Sequence, residues 1–205
     1  QKQTLQELKI SFFSLIDGEK NKHIECNNLI TVDHPINFNN NPTKSLLNIP
    51  LWVIKWLKKK YIKENCKNFN FFKNFFINRE FDSNLASRKI VNNEEVKNLL
   101  TNLGFQIITL SDLNFRNQVE LFKNANFIIG LHGAGFANMI FSKQDTKIIE
   151  IASNTSGYAI RNLAKKCGLN YNKIIASNIS TKLKHQNAHI LVDAYKLKKL
   201  ILSLK

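Results

Sequence analysis

From residue 71 onward, apolar residues switch repeatedly between short continuous runs and recurrences at three- and four-residue spacing. That switching is the signature of strands alternating with helices. Phe71, Phe72, Phe75, Phe76 and Ile77 form the first run and predict a buried strand that delivers Arg79 at its C-terminal end. Asn92 or Asn93 then caps a helix whose first turn holds Glu94 and Glu95. Its buried stripe is Val96, Leu99, Leu100 and Leu103, and Gly104 stops it. Residues 105–110 read as a strand, and Asn114 caps a helix turning Phe115, Val119 and Phe122 inward. Phe127, Ile128 and Ile129 form the central strand, bounded by Gly130. Gly133 and Gly135 permit a tight turn and close approach to a ligand, and a short helix starts at Ala134. A strand over 148–151, a helix over 158–167, a strand over 171–175 and a terminal helix over 189–204 follow. The alternation predicts an α/β fold over residues 71–205, with a doubly wound, largely parallel Rossmann-like sheet.

The first 70 residues are patterned more sparsely. Leu5, Leu8, Phe12 and Leu15 predict a helix ending before Asp17-Gly18, and residues 29–32 a short strand closed by Asp33-His34-Pro35. His34, in a turn ahead of a proline, reads as structural. Residues 37–45 read as a loop. From Pro50 a helical period returns, with Trp52, Val53, Trp56, Leu57 and Tyr61 expected on one packed face and lysines on the rest. Residues 1–70 are therefore expected to be a segment or linker, such as the end of a preceding lobe.

Charge changes the picture. Thirty Lys and Arg against 15 Asp and Glu give a formal net charge of +15, which favours anionic partners. Lys55, Lys58, Lys59, Lys60, Lys63, Lys67 and Lys73 crowd one region. A basic amphipathic segment there could rest on an anionic membrane or bind nucleic acid, although a solvated face on a packing helix accounts for it more simply. No zinc-finger or RNA-recognition signature accompanies it, so specific nucleic-acid binding is not expected. No run approaches the length of a membrane-spanning helix, and the first residues lack a signal-peptide pattern. Cys26, Cys66 and Cys167 are far apart and point to reduced thiols, hence a cytoplasmic setting, with peripheral membrane contact left open. Neither a GxGxxG fingerprint with its acidic partner nor a GxxxxGK[ST] loop occurs, which disfavours dinucleotide dehydrogenases and P-loop ATPases.

The candidate chemistry gathers at strand ends. In open parallel sheets, ligands bind outside the C-terminal ends of strands, where free N–H groups meet anions. His132 stands at that edge, followed by Gly133, Ala134 and Gly135. Arg79 and Arg88 could hold two phosphate oxygens from one post-strand loop, or form ordinary surface ion pairs. Glu150, at the end of a strand, could accept from ribose hydroxyls or serve as a salt-bridged carboxylate. Periodicity leaves open whether Gln118 points inward or toward the ligand edge.

The ordered set Arg79, Arg88, Asn93 with Glu94 and Glu95, Gln118, His132 to Gly135, Asn138 and Glu150 closely resembles the glycosyltransferase family 61 catalytic region, also described in capsular polysaccharide biosynthesis proteins. The resemblance covers residues 72–151, and more loosely the stretch through Tyr171. Phe136 stands where the family pattern usually has leucine. The resemblance implies the C-terminal, donor-binding lobe of a two-lobed GT-B glycosyltransferase. It further implies a UDP- or GDP-sugar donor, a glycan or polysaccharide hydroxyl acceptor, no tightly bound cofactor and no divalent metal. On that implication Arg79, Arg88 and His132 serve catalysis, and Gln118, Gly133, Ala134, Gly135, Asn138 and Glu150 join them in holding the donor. His132 could act as base or as a donor to phosphate. A complete acceptor lobe is not evident in residues 1–70, so the isolated chain is expected to be an incomplete enzyme. The competing expectation is a basic, non-catalytic module for nucleic acid or an anionic membrane surface.

Overall fold

The computed structural model describes residues 2–9, 16, 18–28, 49–63, 72–79, 89–179 and 189–205. The expected strand at 29–32, His34, the loop at 37–45 and Arg88 lie outside these residues. The described elements begin with α1 (Lys2–Glu7) and α2 (Leu51–Tyr61). The layered body follows with β1 (Asn74–Asn78), α3 (Asn93–Asn102), β2 (Gln106–Thr109), α4 (Phe115–Asn124), β3 (Phe127–Leu131), β4 (Lys147–Ala152), α5 (Ala159–Lys166) and β5 (Asn170–Ile175). It ends with the short strands β6 (Ser177–Asn178) and β7 (Ile190–Leu191) and the helix α6 (Ala194–Leu204).

The five long strands form one sheet in the order β2-β1-β3-β4-β5, every neighbouring pair parallel. This is the Rossmann-like arrangement that the alternation of elements predicts. The chain winds one way from β1 to β2 and the other way from β1 to β3, so the order reverses between β1 and β3.

Strand alternation divides the core in two. Phe75, Ile77, Ile128 and Ile148 face one layer with Phe122, Phe136, Met139 and Leu163, drawn from α4, α5 and a 3-10 segment (Ala134–Phe141). Phe76, Ile129, Ile149 and Ile151 face the other with Val96, Leu100, Leu197 and Ile201 of α3 and α6. All of these side chains are buried on both sides, as a fully covered parallel sheet requires.

Several boundaries differ from expectation. The short helix expected after Gly133 is a 3-10 helix, and its Phe136 packs against Gly130. A β-carbon at Gly130 would stand 3.2 Å from the Phe136 ring. The terminal helix begins at Ala194 rather than His189, capped by the Asp193 carboxylate accepting from Lys196 N–H at 2.9 Å. Residues 189–192 instead run extended, pairing Ile190 with β6 and bridging it to Ile90. In α2 the buried residues are Ile54 and Tyr61, whereas Trp52 and Trp56 face outward. The expected packed face of that helix is therefore wrong in its tryptophans. Aromatic bulk was read as core, but Ile54 joins the core and Tyr61 docks edge-on to Phe115 and Phe141 instead.

Candidate functional site

Arg79 follows β1 and His132 follows β3, so both stand at the C-terminal sheet edge where the strand order reverses. Just past β3, the His132 N–H donates to Ile151 O at 2.8 Å, extending the β3–β4 ladder by one rung. Gly133 is extended, a backbone shape open to any residue. A side chain there would crowd Arg79, whose Nη1 would lie 3.1 Å from a β-carbon. Sequence reasoning gave Gly133 to the ligand; the structure gives it first to the guanidinium. Gly135 likewise packs closely, with a would-be β-carbon 3.1 Å from Leu110 Cδ1. The 3-10 segment opens with Phe136 N–H donating to Gly133 O at 3.2 Å, so Ala134 and Gly135 precede its first hydrogen bond.

Beneath His132 lies a chain of buried polar groups. Its Nδ1 meets one oxygen of the Glu150 carboxylate, and the Tyr171 hydroxyl donates to the other. Glu150 is completely buried and half-buried Tyr171 reaches it from β5. A carboxylate can only accept, so Nδ1 carries the proton and Nε2 is left for the crevice. Burial first, and then the Glu150 hydrogen bond and charge, push the Tyr171 phenol far above its ordinary range. Glu150 is thus withdrawn from the surface, and the expected contact with ribose hydroxyls has no exposed oxygen to make it. Tyr171 was anticipated only as the start of a strand; nothing in its spacing marks it as a partner of Glu150.

Gln118 is also committed within the protein. Its Nε2 donates to Leu110 O at 2.8 Å and Leu113 O at 3.0 Å, while its Oε1 accepts from Asn138 Nδ2 at 2.8 Å. The two amides pin the 3-10 segment to the start of α4, which fixes the loop carrying His132 and Gly133. Both side chains are half-buried.

On the other side of Arg79 opens a cavity of about 830 Å³, lined among others by Asn78, Arg79, Lys89, Asn93 and His189. Asn78 is a buried polar residue at the end of β1, with Asn93 Nδ2 donating to its Oδ1 at 3.5 Å. The Asn92 side chain does not cap α3. Instead Nδ2 donates to Val192 O at 2.8 Å and Oδ1 accepts from Val192 N–H at 3.0 Å, so the amide behaves as a strand rung. This clamp, between residues 100 apart in sequence, holds His189 at the cavity wall. His189 Nδ1 is buried with no hydrogen-bond partner among the described residues. Sequence reading placed His189 at the start of a helix; no local signal could have brought it to β1.

The three groups therefore meet at one edge: a guanidinium on a glycine backbone, an imidazole held by a buried carboxylate, and a cavity of mixed polar and apolar lining. Among the described residues no group of three or more His, Cys, Asp or Glu side chains is placed to hold a metal ion. Likewise no described helix is long and apolar enough to cross a membrane. A comparison with curated proteins gives no match. The family model described as Glycosyltransferase 61 matches residues 3–149, starting well ahead of the sheet and ending one residue short of Glu150. With more than half of its length inside that match, this chain belongs to the Glycosyltransferase 61 family.

Proposed function

We propose that the chain binds a UDP- or GDP-sugar at the C-terminal edge of β1 and β3 and transfers the sugar to a hydroxyl of a glycan or polysaccharide. The observation that carries this reading is the seating of Arg79 on Gly133 beside His132, where the strand order reverses. In the reaction the bond between the sugar C1 and the diphosphate oxygen breaks, and its electron pair leaves with the diphosphate. The acceptor oxygen bonds to C1, and its proton passes to a base. Negative charge grows on the leaving diphosphate, so stabilisation belongs to donors fixed there beforehand. Arg79 supplies a guanidinium, Ala134 and Gly135 supply backbone N–H groups, and His132 presents Nε2. The Glu150 carboxylate against Nδ1 fixes the ring in that orientation. His132 is accordingly assigned to the leaving group, and the base to the acceptor side. Arg88, outside the described residues, is the proposed second guanidinium.

With cationic side chains in this role, and with no Asp-x-Asp motif in the sequence, transfer is proposed to need no divalent metal. Calorimetric titration of UDP and GDP into wild type, Arg79→Lys and Arg88→Lys tests the site. Saturable binding that survives chelation and weakens about tenfold or more in each folded lysine variant is expected, since lysine loses the planar fork. Equal affinity in all three proteins would remove the diphosphate from this edge.

A further inference from the structure

The outward face of α2 carries both tryptophans of the chain together with exposed lysines. At 100° per residue, the buried Ile54 and Tyr61 point one way, with half-buried Leu57 beside them. Diametrically opposite lie Trp52 and Lys59, flanked by Trp56 and Lys55, with Leu51 and Lys60 at the margins. Leu51 is 51% exposed, Trp52 61% and Trp56 41%, values that packing within this fold would not leave on the largest apolar side chains. Lys55, Lys59 and Lys60 are exposed as well, and none forms an ion pair among the described residues. By contrast Lys58, on the inner side, donates to Ser142 O at 2.7 Å, and Lys63 pairs with Glu7 at 2.9 Å. The helix contains no acid at all.

We infer that this face docks on an anionic lipid bilayer. The residue types select that occupant. Tryptophan belongs where one end of a side chain is apolar and the other is wet, at the level of lipid headgroups. Lysines on the same face extend their alkyl stems alongside the indoles and place their ammonium groups among the phosphates. A protein partner would want the tryptophans but not the lysines, which are depleted from the cores of protein interfaces. Here the two types interleave one turn apart, Trp52 with Trp56 and Lys55 with Lys59, so no contact could bury the first pair while leaving the second in water. Because α2 is anchored through Ile54, Tyr61 and Lys58, it can present this face without unfolding. The helix would lie in the plane of the interface, with the sheet behind it.

Trp52 and Trp56 are the only tryptophans in the chain, so intrinsic tryptophan emission reads this face alone. The 205-residue chain is mixed with vesicles of phosphatidylcholine alone, or of phosphatidylcholine with phosphatidylglycerol. Expected are a blue shift and quenching by acyl-brominated lipid in the anionic vesicles only, together with co-sedimentation that weakens as salt is raised. Lys55→Gln with Lys59→Gln should weaken partitioning about 25-fold, each lysine near the surface being worth about fivefold. Trp52→Ala with Trp56→Ala should abolish co-sedimentation while circular dichroism stays unchanged, since both residues are exposed. Emission unmoved by anionic vesicles with the protein left in the supernatant overturns the inference. So does co-sedimentation undiminished in both double variants. An emission shift produced by single-stranded oligonucleotide but not by vesicles would assign the face to nucleic acid instead. Tryptophan-dependent self-association without vesicle binding would assign it to a second copy of the chain.

Discussion

Arg79 lies against the backbone of Gly133 so closely that a β-carbon there would stand 3.1 Å from its Nη1 and 3.4 Å from its Cζ. The guanidinium is the mobile end of an exposed side chain, so it can move aside, whereas the Gly133 backbone is fixed by the rung at His132. Gly133→Ala is therefore expected to leave the melting temperature nearly unchanged and to weaken UDP or GDP binding about as much as Arg79→Lys does. Matched thermal melts and titrations check it. A large loss of stability with intact binding would show that the glycine serves packing alone.

Tyr171→Phe should destabilise the fold by about 2 kcal/mol, because it strips a hydrogen bond from a fully buried carboxylate. Urea unfolding measures this directly. A variant as stable as wild type would mean that Glu150 does not depend on the phenol.

The same phenol sets an alkaline limit. Held protonated by burial and by Glu150, it keeps its proton at a pH where the unfolded chain, with an ordinary tyrosine near pH 10, gives it up. Above about pH 10 the unfolded state therefore binds fewer protons than the folded one, and stability falls as pH rises. Below that pH the contribution is complete. Melting temperatures of wild type should drop more steeply between about pH 9.5 and 11 than those of Tyr171→Phe. Tyr61, also raised by burial, contributes in both proteins and leaves a common residual slope. Parallel curves would exclude Tyr171 as the source.

Gln118→Leu keeps the size of the side chain but abandons two carbonyls and the Asn138 amide. It is expected to cost about 1–3 kcal/mol. Amide exchange should also accelerate across residues 134–141 more than in β3. Uniform acceleration throughout the chain would indicate general destabilisation rather than a loosened loop.

The order of strands and helices was legible because each carries its own period and its own stop. The Phe75–Ile77 run, Gly104, Asn114 and the isoleucines of β3 and β4 are local signals, and the sheet follows from them. Arg79 and His132 were placed at a common edge for the same reason, since parallel strands end on the same side. Partnerships were not legible. Glu150 looks like a strand-end acid until its neighbours on β3 and β5 are known, and Gln118 looks like a polar helix residue until Asn138 reaches it. Trp52 and Trp56 misled because hydrophobic periodicity reports which residues share a face, not which of two faces the fold covers. Contacts of the site join His132 to Glu150 across 18 residues and Asn92 to Val192 across 100. A one-dimensional pattern carries no trace of such ties.

The buried carboxylate also bears on how the chain folds. The β3 and β4 strands are adjacent in space and close in sequence, and their isoleucines could pair early. Yet Glu150 sits among them, and its two donors arrive from His132, 18 residues before it, and Tyr171, 21 residues after. An ionised carboxylate sealed in hydrocarbon without its donors is too costly to persist, so water must remain beside β4 until β5 docks. The centre of the sheet would then dry in one step with its edge, rather than spreading outward from β3. Pulsed hydrogen exchange during refolding should find β3, β4 and β5 amides gaining protection together; protection of β3 and β4 well ahead of β5 would contradict that order.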